Sequence, residues 1–412
     1  MNAPVPVTAC RICGNPNLVT VLDLGQQALT GVFPKAGAAE VPAGPLVLVK
    51  CHGQPGCCGL VQLGHTYDLG ELYGDNYGYR SGLNASMVKH LGEKVAWLQQ
   101  RRPLKAGDVV LDIGSNDGTT LGHYPATVRR IGIDPTTEKF RRFHPAGIEA
   151  VADFFTAASF KKLAGEAKAS IVTSISMFYD LPAPMDFVRD VASVLADDGV
   201  WHLEQSYCPL MLETNSYDTV CHEHLEFYGL AQLSWMMSRA GLRITDVQFN
   251  DVNGGSFAVT VEKGQGDAPL VKELLAKEAH LDSLETWKAF ADTVARHKVE
   301  LPATLAKLKA EGKRVIGLGA STKGNVVLQW CGLTPELLEA VAEVNPDKFG
   351  CVTPGTKIPI ISEADARARK PDVWLVLPWH FKKTFLGREQ AFLAAGGRLL
   401  FPLPRIEFVG AS

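Results

Sequence analysis

The chain has 412 residues, 46% of them hydrophobic, and a formal net charge of -3; that length exceeds one ordinary domain and predicts two large units plus a small one. The near-neutral charge, with no Lys/Arg-rich stripe interleaved with aromatics, argues against a nucleic-acid partner, and no heptad or apolar edge singles out an oligomeric state. No apolar run approaches membrane-spanning length and the opening Met-Asn-Ala-Pro-Val-Pro carries neither part of a secretory leader, so the expectation is a soluble, cytoplasmic protein without a membrane partner.

Residues 1–75 read as short strands punctuated by Pro and Gly around cysteines, too few for a core of their own. Cys10-Arg-Ile-Cys13-Gly14 is one half of a zinc knuckle, and Cys51, Cys57 and Cys58 follow in a second Gly-rich turn. Four thiolates predict one tetrahedral zinc on Cys10, Cys13, Cys51 and Cys58. Three thiols compete for the second pair of places, and Cys58 is preferred because Gly59 follows it as Gly14 follows Cys13. Free buried thiols are the alternative. Neither knuckle holds a water-activating His, so the metal is expected to be structural.

Residues 76–266 are expected to form the next unit. Helical spacing over 85–102 leads into strands near 108–113, 128–133, 170–175 and 199–204. Val109 to Thr119, Val-Val-Leu-Asp-Ile-Gly-Ser-Asn-Asp-Gly-Thr, followed by Ile131-Gly-Ile-Asp134 with an acid twenty residues after Gly114, makes a dinucleotide-type βαβ unit. The middle position of its loop is Asn116 rather than Gly, and Asp112 and Asp117 flank it without a basic residue. Such a loop suits a cationic sulfonium better than a diphosphate, which makes S-adenosylmethionine the leading cofactor; a tight turn of any Rossmann-like domain is the bland reading. Gly114 permits close backbone approach, Asp134 with Pro135 after it meets the ribose, and Asp153-Phe154 meets adenine, unless Asp153 only caps a helix. Ser176, at the end of the 170–175 strand, joins this cofactor set.

The densest polar run follows, Tyr217-Asp-Thr-Val-Cys221-His222-Glu223-His224-Leu-Glu226-Phe-Tyr228. A neutral His near its working pH can remove a proton, so His222, Glu223 and His224 read as a proton-transfer site; a metal site and a solvated loop are the alternatives. Residues 267–412 open with a charged helical connector to Glu311. A second glycine loop, Val315-Ile-Gly-Leu-Gly-Ala-Ser-Thr-Lys-Gly-Asn325, lacks the Walker order, but Ser321, Thr322 and Lys323 at a helix start could hold a diphosphate. Strands near 339–344, 372–377 and 398–403 complete a smaller α/β unit.

Taken in order, Cys10-x-x-Cys13, Cys58-Gly-Leu-Val-Gln-Leu, Asp112-Ile-Gly-Ser-Asn-Asp-Gly, His222-Glu-His224, Gly319-Ala-Ser-Thr-Lys-Gly-Asn325 and Pro354-Gly resemble the nucleotide-sugar C-methyltransferases over nearly the whole chain. The resemblance implies an α/β protein with an N-terminal zinc module, a central class I S-adenosylmethionine domain, and a C-terminal Rossmann-like domain that helps hold a dTDP-, GDP- or CDP-linked 4-keto-6-deoxy sugar. It implies methylation at C3, with His224 as base and Glu223 beside it. Tyr77 and Tyr79, in Asn76-Tyr-Gly-Tyr-Arg80-Ser81, fall where the family places an active-site tyrosine, ordinary packing being the alternative; Arg80 is grouped with the substrate contacts. Lys323 and Asn325 are expected to face phosphate or sugar, and Trp379 to stack on a base or belong to the core.

Two positions depart from the family pattern. Cys221 stands where many relatives have Tyr, and Ser176-Met-Phe-Tyr179-Asp180-Leu-Pro182 stands where relatives often have His. Rival readings are a methyltransferase on another carbon or oxygen, an NAD-dependent oxidoreductase using Gly317-x-Gly319 although Thr322 replaces its third Gly, and a non-catalytic scaffold.

Overall fold

Near-continuous apolar runs bounded by turn residues make buried parallel strands, and in the computed structural model, which describes residues 4–67 and 80–410, such strands form the centre of a seven-stranded sheet. In chain order the seven are Val109–Ile113, Arg129–Ile133, Ile148–Val151, Ala169–Ile175, Leu195–Ser206, Leu242–Asn250 and Ser256–Lys263. Numbered that way they lie 3-2-1-4-5-7-6, the first five parallel and the seventh antiparallel to its neighbours. The order reverses beside Val109–Ile113, and a crevice opens beyond the carboxyl ends of the strands there. Helix Ala85–Arg101, capped by the Asn84 side chain, turns Leu91, Val95 and Leu98 inward.

In the N-terminal module, Leu18–Ala28, Ala43–Cys51 and Val61–Leu63 form an antiparallel sheet whose middle strand alternates, with Leu46 and Leu48 fully buried. Its fourth strand is Glu226–Phe227, antiparallel to Val61–Leu63. A division of the chain at residue 75 therefore misses a strand that the later chain returns to this module.

Beside that sheet the sulfurs of Cys10, Cys13, Cys51 and Cys58 lie within 4.8 Å of one another, with Cys10–Cys58 at 3.3 Å and Cys13–Cys51 at 3.5 Å. Tetrahedral zinc with about 2.3 Å bonds needs sulfurs about 3.8 Å apart, so this donor set fits one ion. Cys57 stands outside the cluster. The hydrogen bond from Cys58 holds the Cys10 thiol down at about 5, whereas burial pushes Cys51 up to about 12. Asn15 Nδ2 donates to Cys51 Sγ at 3.3 Å, a second layer that orients the ligand.

The C-terminal unit follows helices Pro269–Glu278 and Leu284–Ala310. Its strands Val315–Leu318, Val341–Glu343, Ile360–Ser362, Val373–Val376, Arg398–Phe401 and Glu407–Val409 lie 3-2-1-4-5-6 in chain-order numbering, only the last antiparallel. One apolar core runs from Leu46 and Leu48 through Trp287 and Phe290 to Trp374 and Phe401, joining this unit to the N-terminal sheet. Polar ties seal the seam: Ala28 N donates to Gln329 Oε1 at 2.7 Å, Val352 N to Pro34 O at 2.8 Å, and Asn325 Nδ2 to Thr30 O at 2.7 Å. Asn325 is 1% exposed and bound to that carbonyl, so it is a seam residue and not the substrate contact expected.

Two outcomes follow from this packing. Asn325→Ala orphans the buried Thr30 carbonyl and lowers unfolding free energy by about 1–3 kcal/mol in denaturant titration. Cys13→Ser removes one of four zinc ligands; metal analysis after dialysis shows zinc lost, and the melting temperature falls by more than about 5 °C.

Candidate active site

One cleft of about 1380 Å³ takes its walls from all three parts of the chain: Gly31 to Phe33, the carboxyl ends of the large sheet, and Ala320 to Lys323 with Lys348 and His380. At its cofactor end, Asp112 accepts a hydrogen bond from Thr173 Oγ1 at 2.5 Å, and burial pushes its carboxyl up to about 7. Gly114 turns at φ +73°, a left-handed conformation that favours glycine. Asp134 accepts from Asn116 N at 2.9 Å and Thr136 N at 2.6 Å, which fixes the glycine loop against the next strand end. Asp112, Gly114, Asn116, Asp134, Pro135, Phe154 and Ser176 all line the cleft and could hold an adenosyl group.

Two acids expected there are used otherwise. Asp117 accepts from Gly82 N at 2.9 Å and Thr119 Oγ1 at 2.6 Å, docking the 80–82 segment onto a helix start; it is absent from the cleft wall. Asp153 is exposed, accepts from Phe154 N, and leaves the cleft wall to Phe154 and Phe155. Arg80 does line the cleft, its guanidinium 3.6 Å over the Phe143 ring. Phe143, Phe155 and Met177 belong to the wall although no motif marks them.

The polar run divides by side-chain direction. His224 lines the cleft, and its Nδ1 lies 2.8 Å from Thr219 O. A carbonyl only accepts, so Nδ1 carries the proton and Nε2 keeps its lone pair. Burial pushes His224 down to about 4, with the field of Lys323 adding to the effect, so the ring is neutral near pH 7. The Tyr179 ring meets it edge-on at 4.4 Å between centroids. Glu223 also lines the cleft; its buried Oε2 has no hydrogen-bond partner among the described residues, and burial raises its pKa. Space for that carboxyl comes from Gly31, where a Cβ would stand 2.8 Å from Oε1.

His222 points the other way. It is fully buried, edge-on to Tyr67 at 4.8 Å and beside Gly44 O, outside the cleft wall, so it packs the N-terminal module instead of joining a proton-transfer pair. That orientation also separates it from the metal reading of the run. Cys221 lines the cleft, its thiol raised far above the ordinary range by burial. Tyr77 and Tyr79 lie outside the described residues.

At the C-terminal end, Ser321 and Lys323 line the cleft. Ser321 Oγ accepts from Gly324 N at 3.0 Å and caps helix Thr322–Trp330, whose start faces the cavity. Lys348 Nζ donates to Ala320 O at 2.8 Å while still on the wall. Trp379 is buried with Nε1 donating to Asp218 Oδ2 at 2.8 Å, so it is a core residue and not a stacking platform; His380 beside it reaches the cleft. Glu343, at the strand end where a nicotinamide enzyme would grip ribose, spends its carboxylate on Ala320 N, Val344 N and Asn345 N and is absent from the cleft wall. That arrangement weighs against the oxidoreductase reading.

Three family profiles match in tandem: a zinc binding domain over 10–73, a methyltransferase domain over 87–247, and a C-methyltransferase C-terminal domain over 251–404. The chain is 31% identical to the C-methyltransferase NovU of Streptomyces niveus over 99% of its own length and 98% of that protein. Among solved structures, an S-adenosylmethionine-dependent methyltransferase of Clostridium acetobutylicum is 13% identical and matches 43% of this chain and 92% of its own, at a TM-score of 0.34. The CcbJ methyltransferase of Streptomyces caelestis is 15% identical and matches 43% and 90%, at 0.32. With the four-cysteine cluster and full-length likeness to NovU, the chain belongs to the zinc-containing, S-adenosylmethionine-dependent C-methyltransferase family.

Proposed function

We propose that this protein methylates C3 of a nucleotide-linked 4-keto-6-deoxy sugar, with His224 as general base. The observation that carries the reading is the hydrogen bond from His224 Nδ1 to Thr219 O, which aims an unprotonated Nε2 at the cleft shared with the cofactor loop. A ketone acidifies the adjacent C–H, and a fixed neutral imidazole is suited to take that proton. S-adenosylmethionine, when bound, supplies an electrophilic methyl group. The chain's own task is to hold the carbon in line and to keep water away. The Glu223 carboxyl, its pKa raised by burial and its Oε2 without a hydrogen-bond partner among the described residues, is suited to bond a sugar hydroxyl.

A diphosphate would find support on the C-terminal wall of the same cavity, which is lined by the start of helix Thr322–Trp330, the Ser321 cap and the Lys348 ammonium. The cavity is large enough for both a cofactor and a sugar nucleotide, since single-ligand sites run to about 300–1,000 Å³. Arg80 and Phe143 at the wall add a cation and a ring near the cofactor end.

The test is mass spectrometry of reactions holding the protein, S-adenosylmethionine and dTDP-, GDP- or CDP-linked 4-keto-6-deoxyglucose in deuterated water. A product heavier by one methyl, with S-adenosylhomocysteine, establishes the reaction and the nucleotide; neither methylation nor deuterium uptake with any of the three sinks it. His224→Asn lowers kcat by about 10²–10⁴-fold while calorimetry finds S-adenosylmethionine binding within about threefold of wild type; near-normal turnover would remove His224 from the role of base. Because burial pushes the His224 ring down to about 4 and it acts when neutral, kcat/KM for the sugar nucleotide, measured with S-adenosylmethionine saturating, shows no acid limb from the imidazole between pH 8 and 6 and declines toward pH 4. An acid limb centred on 6.5 would mean that the cleft leaves the ring solvated.

A further inference from the structure

Proton removal by His224 would leave a negative charge on the ketone oxygen, close to the Cys221 and Glu223 side chains that line the cleft with His224. Burial holds Cys221 as a thiol and raises Glu223 toward its acid form. Neither offers a positive charge. Lys323 does. Its side chain lines the cleft with His224 and Cys221, and its Nζ lies 3.9 Å from the point a Cβ would occupy on Gly254. Gly254 in turn lines a small side pocket with His224 and Tyr179, so the ammonium stands at the His224 end of the cavity.

Burial lowers the pKa of Lys323, and the buried carboxyl of Asp218, whose Oδ2 accepts from Trp379 Nε1 at 2.8 Å, opposes that shift by favouring the ammonium. A cation this close lowers the proton affinity of His224, which by itself would make a poorer base. The arrangement becomes favourable once an anion forms between them, because a preorganised charge in a water-poor site stabilises the transition state more than the ground state.

We propose that Lys323 is a catalytic residue of this cleft, its ammonium pairing with the enolate oxygen, and not an anchor for the nucleotide phosphates. The step rests on the C-methylation reading above. The C3–H bond breaks and its proton goes to His224 Nε2; the electron pair becomes the C3–C4 double bond as the ketone oxygen takes the negative charge beside Lys323. The carbon then bonds the donor methyl, whose bond to sulfur breaks with the pair remaining on sulfur, and the ketone is restored.

Enolate formation is read apart from methyl transfer as deuterium uptake at C3 in deuterated water, with S-adenosylhomocysteine in place of the donor. The probe is whichever of dTDP-, GDP- and CDP-4-keto-6-deoxyglucose the wild type turns over. Lys323→Met is expected to slow uptake by about 10²-fold or more, while calorimetry shows sugar-nucleotide binding within about threefold of wild type. Equal losses in binding and uptake would make Lys323 a phosphate anchor and overturn the proposal, as would uptake at the wild-type rate. Should Lys323→Met melt early, Lys323→Gln is read in the same way. Wild-type protein that neither exchanges nor methylates any of the three sugars overturns the reaction itself, a result distinct from any seen in the variants.

Discussion

The site depends on how one residue, Leu225, is tied at both of its backbone groups. Its N–H donates to Tyr179 O at 2.8 Å and its carbonyl accepts from Leu63 N at 2.8 Å, so the residue after His224 is bonded to the cofactor-binding sheet on one side and to the zinc module on the other. Glu226–Phe227 then continue as an edge strand on Val61–Leu63. A loop held only at its ends would leave an imidazole free to sample rotamers; here the bonds on either side of His224 fix where its ring stands. A zinc ion on the four cysteines would act on the chemistry through this route. It sets the small sheet, and the small sheet sets the loop.

Burial governs the electrostatics that follow. His224, His222 and His380 are all pushed down to about 4 or 3, Glu223 and Asp218 are raised, and Lys323 is lowered, each first of all by loss of water. Groups that would be charged at the surface are driven toward neutrality, and the interaction between any charges that remain is strengthened. The same desolvation serves different ends along one short run. For His222 it means a packed ring against Tyr67; for His224, with its Nδ1 proton committed to Thr219, it means a neutral base facing a cavity.

Features written in local sequence were legible: the apolar strands, the two glycine loops, the paired cysteines, and Cys58 over Cys57. Strand ends expected from periodicity fall within a few residues of those observed, though Ile148–Val151, half-buried throughout, carried too weak a pattern to be placed. What sequence could not reveal was direction within irregular segments. His222 and His224 are two positions apart and face different parts of the molecule; a strand's alternation would have put them on one face, but this segment is a loop. Asn325 and Trp379 stood in suggestive motifs, yet their partners, Thr30 and Asp218, are 295 and 161 residues away. Asp117 likewise sits in the cofactor loop and works on the 80–82 segment.

The two glycine loops show how one backbone device takes two uses. In each, an acid at the end of the second strand reaches back to an amide of the loop: Asp134 to Asn116 N, Glu343 to Ala320 N. The clamp is the same, and the outcome differs in what lies beyond it. Asp134 keeps an edge on the cleft, next to Pro135 and across from Phe154, where an adenosyl group has room. Glu343 turns its other oxygen to Val344 N and Asn345 N, and the cleft above is bordered by Lys348 and Pro378. The second loop has kept the helix start that favours an anion and given up the acid that would grip a ribose. A fold used twice therefore presents two different loops to a single cavity, the first with Asp112 and Asp134 on the wall and the second with Lys323 and Lys348.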